Sequence, residues 1–109
     1  MNNRKEQLEN LLVKVKAGGA MSIEDTAGSF DSARHVLMSL NAYNGSLDAA
    51  KELHEAVLPG WRWTRHHDEE IEVCNYGVVN SKFGRSDNNI PARAWLIAVL
   101  RALISEAGE

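Results

Sequence analysis

The stretch Leu58-Pro59-Gly60-Trp61-Arg62-Trp63 divides this chain into two kinds of structure. Proline lacks an amide proton and its ring clashes with the preceding turn, so a helix running into Leu58 must stop there. Gly60 accepts the backbone angles that turn the chain. Beyond it, tryptophans at alternate positions start a strand, because side chains two apart share one face of an extended chain. Before this divide apolar residues recur at helical spacing; after it they alternate, until one last helical segment. A mixed α+β domain follows.

Leu8, Leu11, Leu12 and Val15 fall at i, i+3, i+4 and i+7, which predicts a helix over residues 4–17 ended by Gly18-Gly19. Residues 21–28 carry mixed signals: Ser22 can cap a short helical turn that Gly28 would break. Ser29 or Asp31 caps the next helix, over 31–41, with Ala33, Val36, Leu37 and Leu40 as its stripe. Asn44-Gly45 turns the chain. Ser46 caps a third helix over 46–57, buried through Leu47, Ala50, Leu53 and Val57, with Glu52, His54 and Glu55 on the wet side.

An antiparallel hairpin is expected over 61–66 and 71–79. Trp61, Trp63 and Arg65 share one face of its first strand, and Arg62, Thr64 and His66 the other. His67-Asp68-Glu69-Glu70 forms a polar tip. In the return strand Ile71, Val73 and Val79 oppose Cys74, Tyr76 and Val78, so both faces are apolar and both should be covered. Residues 80–89 read as a polar loop, with Asp87 or Asn89 capping a helix over 91–106 that Pro91 opens. Between Ala94 and Ile104 only Arg101 is charged, and a helix apolar nearly all round is buried on more than one side. A two-stranded ribbon also leaves two open edges. Both features predict a homodimer, paired edge to edge across a twofold axis.

With 109 residues, a single domain spanning 1–109 is expected. Its net charge of −3 argues against nucleic acid as a partner, since such binders carry a basic surplus. Cys74 is the only cysteine, so no intramolecular disulfide can form. The polar start Met1-Asn2-Asn3-Arg4-Lys5-Glu6-Gln7 lacks the apolar centre of a signal peptide. The longest apolar run, Ala94 to Leu100, is far short of the ~20 residues of a membrane span. The expectation is a cytoplasmic protein with no membrane partner.

The order of motifs resembles a known family. A helix opens Ser46-Leu47-Asp48-Ala49-Ala50, stops at Leu58-Pro59-Gly60-Trp61-Arg62-Trp63, and is followed by an alternating segment. Pro91-Ala92-Arg93-Ala94-Trp95-Leu96 then opens a helix that ends Leu100-Arg101-Ala102-Leu103. With the N-terminal Leu8-Glu9-Asn10-Leu11-Leu12 helix, this is similar to the small phage and prophage proteins of the phage α-β-α sandwich domain family. The stretch from Met21 to Tyr43 departs from that pattern. The resemblance implies a sandwich-like fold and a bacteriophage origin, and no activity, so no site residue is carried over from it.

Candidate binding residues come from chemistry. Trp61 and Trp63 could stack a flat ring, or pack in the core against Trp95. Arg62, Arg65, Lys82, Arg85 and Arg93 could hold a phosphorylated ligand near the start of the last helix, or form a solvated surface with scattered ion pairs. His66 and His67 point to opposite faces of a strand and no ligand pair has metal spacing, so no metal and no cofactor is expected. Cys74 with His66 or His67 lacks the spacing of a nucleophile and base, and no catalytic residue is assigned. The expected function is therefore non-enzymatic. It is that of a phage accessory protein of the anti-defence type, which neutralises a host factor by sequestering a nucleotide-like signal or by inhibiting a host defence protein. The alternative is a structural or assembly helper of the phage particle.

Overall fold

The computed structural model describes residues 3–30, 32–66, 70–75, 77, 80–86 and 90–107. Asp31, the tip residues His67, Asp68 and Glu69, the strand positions Tyr76, Val78 and Val79, and the caps Asp87 and Asn89 lie outside the described residues. The helices are α1 (Asn3–Ala17), α2 (Ile23–Ala27), α3 (Ala33–Tyr43), α4 (Leu47–Val57) and α5 (Pro91–Ala107). The strands are β1 (Arg62–Arg65), β2 (Ile71–Asn75) and β3 (Asn80–Gly84), forming one antiparallel sheet in the order β1-β2-β3. The fold is α+β, a small sheet packed against helices.

Three helix starts follow from their side chains. Ser22 and Asp25 form a reciprocal capping box on α2: the Ser22 amide donates to Asp25 Oδ2 at 2.9 Å and the Asp25 amide to Ser22 Oγ at 3.4 Å. Lys14 pairs with Asp25 and ties α2 to α1. Ser46 caps α4 as expected, accepting from the Ala49 amide at 3.1 Å. The cap of α3 is Ser32, which accepts from the Arg34 amide at 3.1 Å. Ser29 instead is buried and donates to the Gln7 carbonyl at 3.2 Å.

Two helix faces differ from the expected stripes. In α3 the buried residues include Val36, Ser39, Ala42 and Tyr43, while Leu37 is half exposed and Ala33 is exposed. Burying Ser39 and Tyr43 costs little because each has a partner: Ser39 Oγ donates to the Val36 carbonyl at 2.8 Å, and the Tyr43 hydroxyl to the Gly19 carbonyl at 2.6 Å. In α4 the buried set is Ala49, Ala50, Leu53 and His54, with Leu47 exposed. His54, expected on the wet side, is inside.

After α4 the chain turns as the sequence requires. Gly60 has φ +85, and the Trp61 amide donates to the Leu58 carbonyl at 3.0 Å. The return strand is shorter than expected. It ends at Asn75, whose Oδ1 accepts from the Gly77 amide at 3.0 Å, a side-chain bond that competes with the ladder. The chain folds back, and the first half of the presumed polar loop becomes β3. Ile71 and Val73 are buried on one face of β2 and Cys74 on the other.

Helix α5 is the centre of the molecule. It packs against β2 and β3 and against α1, α3 and α4. Residues Ala92 and Ala94–Leu100 are buried, with Ala102 and Leu103. Its all-round apolar surface is thus enclosed within one chain, and it gives no argument for a second subunit. The closest approach is at Gly84, where a Cβ would lie 2.1 Å from the Ala94 carbonyl oxygen and 2.5 Å from the Ala98 nitrogen. Only a residue without a side chain lets β3 lie on the helix backbone there.

Candidate functional site

The fold separates the candidate residues into several places and unites two of them. Arg62 faces Cys74 in the register and Arg65 faces Ile71, so these arginines lie on opposite faces of the sheet. Trp61 precedes β1 and is half-buried against the core near Phe30, Leu58 and Leu103. Trp63 is 42% exposed and stacks on Trp95, with ring centroids 4.2 Å apart and planes at 36°. Lys82 lines an open groove of about 680 Å³ between α1, β3 and α5, whose apolar floor includes Leu12, Val13 and Ile104.

Arg85 and Arg93 come together. They line a recess of about 220 Å³ with Lys16, Ser86, Val15 and Ile97. Three elements build it: the last turn of α1, the segment leaving β3 and the first two turns of α5. Among the described residues, three cationic side chains and no carboxylate line it. Arg93 is held in place. Its Nε donates to the Tyr43 carbonyl at 3.0 Å, and its guanidinium carbon lies 3.8 Å from the centroid of the Tyr43 ring. Tyr43 in turn is anchored through its hydroxyl to Gly19, just beyond α1. Because Nε is committed, the terminal nitrogens are the part of Arg93 left to form the planar fork that suits phosphate or carboxylate oxygens.

Lys16 is not a residue that the sequence singles out. At the end of α1 it reads as a cation complementing the helix dipole. Nothing in the chain links it to Arg85 and Arg93, some seventy positions away, until α1 is packed along α5.

A second polar centre lies under Trp63. His54 is 2% exposed, and its ring is 5.8 Å from that of Trp95 in an edge-on arrangement. Trp95 Nε1 donates to His54 Nδ1 at 3.3 Å, because an indole nitrogen can only donate. His54 Nε2 therefore carries the proton and donates to the Trp61 carbonyl at 2.9 Å. Burial pushes the His54 pKa below its ordinary value of 6.5, against smaller opposing effects of the Trp61 carbonyl and Glu55. The histidine is neutral with both nitrogens engaged, which makes it a structural bridge between α4, α5 and the start of β1. The sequence carried its signal: Ala50, Leu53, His54 and Val57 are spaced i, i+3, i+4 and i+7.

His66 pairs with Glu72 at 3.0 Å, and Cys74 is buried. Among the described residues no group of three or more His, Cys, Asp or Glu side chains could hold a metal ion. No helix among them is long and apolar enough to cross a membrane. No family model, curated protein or solved structure matches the chain.

Proposed function

We propose that this protein is a non-enzymatic phage or prophage accessory protein that binds and neutralises a host factor, and that it does so by capturing the phosphate-bearing end of a nucleotide-like ligand. The observation that carries this reading is the recess of Lys16, Arg85 and Arg93, three cations around about 220 Å³ with no carboxylate among the described lining residues. That volume is below the ~300–1,000 Å³ of pockets that enclose a whole drug-sized ligand. It suits a phosphate group, with the remainder of the ligand outside. Arg93, clamped by Tyr43, arrives already oriented, which lowers the entropy cost of binding. In this reading the protein works in the host cytoplasm as a homodimer.

Thermal unfolding with nucleoside mono-, di- and triphosphates tests the proposal. A ligand present at about 100-fold over its Kd stabilises the folded state by ~2.7 kcal/mol. The wild type should gain several degrees in Tm, and Lys16→Ala with Arg85→Ala should lose most of that gain while unfolding normally without ligand. Arg93 is left intact because it also braces Tyr43. If the double variant responds to the nucleotides as the wild type does, the recess is not the site.

A further inference from the structure

We infer that β1 pairs with β1 of a second copy, antiparallel, across a twofold axis at Trp63. This rests on the homodimer proposed above and specifies its interface, its register and the residues that face each other.

The phase of the sheet shows which backbone groups point outward. The His66 amide donates to the Glu70 carbonyl at 2.8 Å, and the register Arg65↔Ile71 makes these two residues partners. Hydrogen-bonded and non-hydrogen-bonded pairs alternate along an antiparallel ladder. Thr64 and Arg62 therefore direct their amide and carbonyl toward β2, and Trp63 directs both away from it. Trp61 is next in that outward row, but its amide is given to Leu58 and its carbonyl accepts from His54. Among the described residues nothing hydrogen-bonds to the outward groups of Trp63.

The opposite edge is different. Glu72 and Cys74 serve β1, so Ile71, Val73 and Asn75 serve β3, and Phe83 points outward. Its carbonyl accepts from Arg101 Nη1 at 2.6 Å. A guanidinium thus blunts the β3 edge, while the β1 edge stays open at Trp63, where a 42%-exposed indole leans on Trp95 at 36°.

A second copy fits this edge. Outward groups recur every second residue, so a twofold axis can fall on only a few positions. An axis at Arg65 would set Arg65 against the partner's Arg65. An axis at Thr64 would set Arg62 against the partner's His66. An axis at Trp63 opposes no two basic residues: Arg62 faces the partner's Thr64, and Arg65 faces the partner's Trp61. Trp63 then exchanges both hydrogen bonds with the partner's Trp63, and the two half-exposed indoles cover each other as a cross-strand aromatic pair. The result is a continuous six-stranded sheet with the Arg101-blunted β3 strands outermost.

Cysteine cross-linking reads this register directly. Residues 62 and 64 of opposite copies would form a non-hydrogen-bonded pair, with Cα atoms about 4.5 Å apart, within the span of a disulfide. Arg62→Cys and Thr64→Cys are made separately in a Cys74→Ser background, then oxidised alone and mixed. The expected result is a disulfide-linked dimer in the mixture and in neither protein alone. Cross-linking of Thr64→Cys by itself would place the axis at Thr64 and overturn the register. Wild-type protein that is dimeric by light scattering, with no cross-link in the mixture, would leave the dimer reading standing and overturn the β1 interface. A strict monomer up to submillimolar concentration would remove both. Hydrogen exchange on the unmodified protein supplies a check independent of any variant. The Trp63 amide should exchange more slowly as protein concentration rises, and a rate independent of concentration contradicts the pairing.

Discussion

Acidification should destabilise this protein through His54, and His54→Gln should remove that part of the effect. In the folded chain His54 Nδ1 accepts from Trp95 and Nε2 donates to Trp61. Adding a proton would turn Nδ1 into a donor facing a donor, in a ring only 2% exposed. The folded state therefore resists protonation, and burial lowers the pKa below 6.5. The unfolded chain has no such constraint and takes up the proton as pH falls through 6.5. Stability from this residue is complete above that value. It is lost as pH falls further, and the loss levels off once the folded-state pKa is reached. Within that window the slope is at most ~1.4 kcal/mol per pH unit. Urea unfolding of both proteins from neutral pH to about pH 5 measures it. Glutamine offers one donor and one acceptor and does not titrate in this range. His54→Gln should cost ~1 kcal/mol at neutral pH and show a shallower decline below it. If the two proteins lose stability in parallel, His54 is not a buried neutral bridge and the hydrogen-bond assignment fails.

Three further outcomes follow from the packing. Gly84→Ala places a methyl group against the α5 backbone, which cannot rotate away as a side chain would, so the loss of stability should reach ~3 kcal/mol or more in chemical unfolding. Trp63→Ala removes a half-exposed ring and its stacking on Trp95. It should cost ~2 kcal/mol by the same measurement and shift the remaining tryptophan fluorescence to the red as Trp95 becomes wet. The Asp25 carboxyl, held to a pKa of about 2 first by its bond to Lys14 and then by Ser22, should titrate closer to the usual carboxylate range in Lys14→Ala, as read by NMR.

The bounds of α4 and the start of α5 were legible because they carry their own punctuation, whereas α3 is capped by Ser32 rather than by Ser29 or Asp31. Ser46 before α4, Pro59-Gly60 after it and Pro91 at the start of α5 act on the backbone within a turn of themselves. Strand β3 was not legible. Asn80-Ser81-Lys82-Phe83-Gly84 is polar and short, and it becomes a strand because β2 offers it a ladder and Gly84 lets it lie on α5. His54 differs again: its residue type suggests the wet side while its spacing puts it on the buried face, and its two hydrogen-bond partners come from Trp61 and from Trp95 in α5.

The candidate site divides the same way. Arg85 and Arg93 were legible as cations on either side of the start of the last helix, a local relation between neighbours in sequence. Lys16 was not, because its position beside them depends on α1 lying along α5. Trp61 and Trp63 share a strand face that the sequence leaves open to ligand stacking or to packing against Trp95; one seats against the core and the other stacks on Trp95. By itself the sequence determined where α4 begins and stops, where α5 opens and where the chain turns to strand, since those events are decided by bonds to residues within four positions. Which cations share a recess, which edge of the sheet is closed by Arg101 and which tryptophan stays half exposed were decided by tertiary structure, because they depend on long-range packing around α5 that no local pattern encodes.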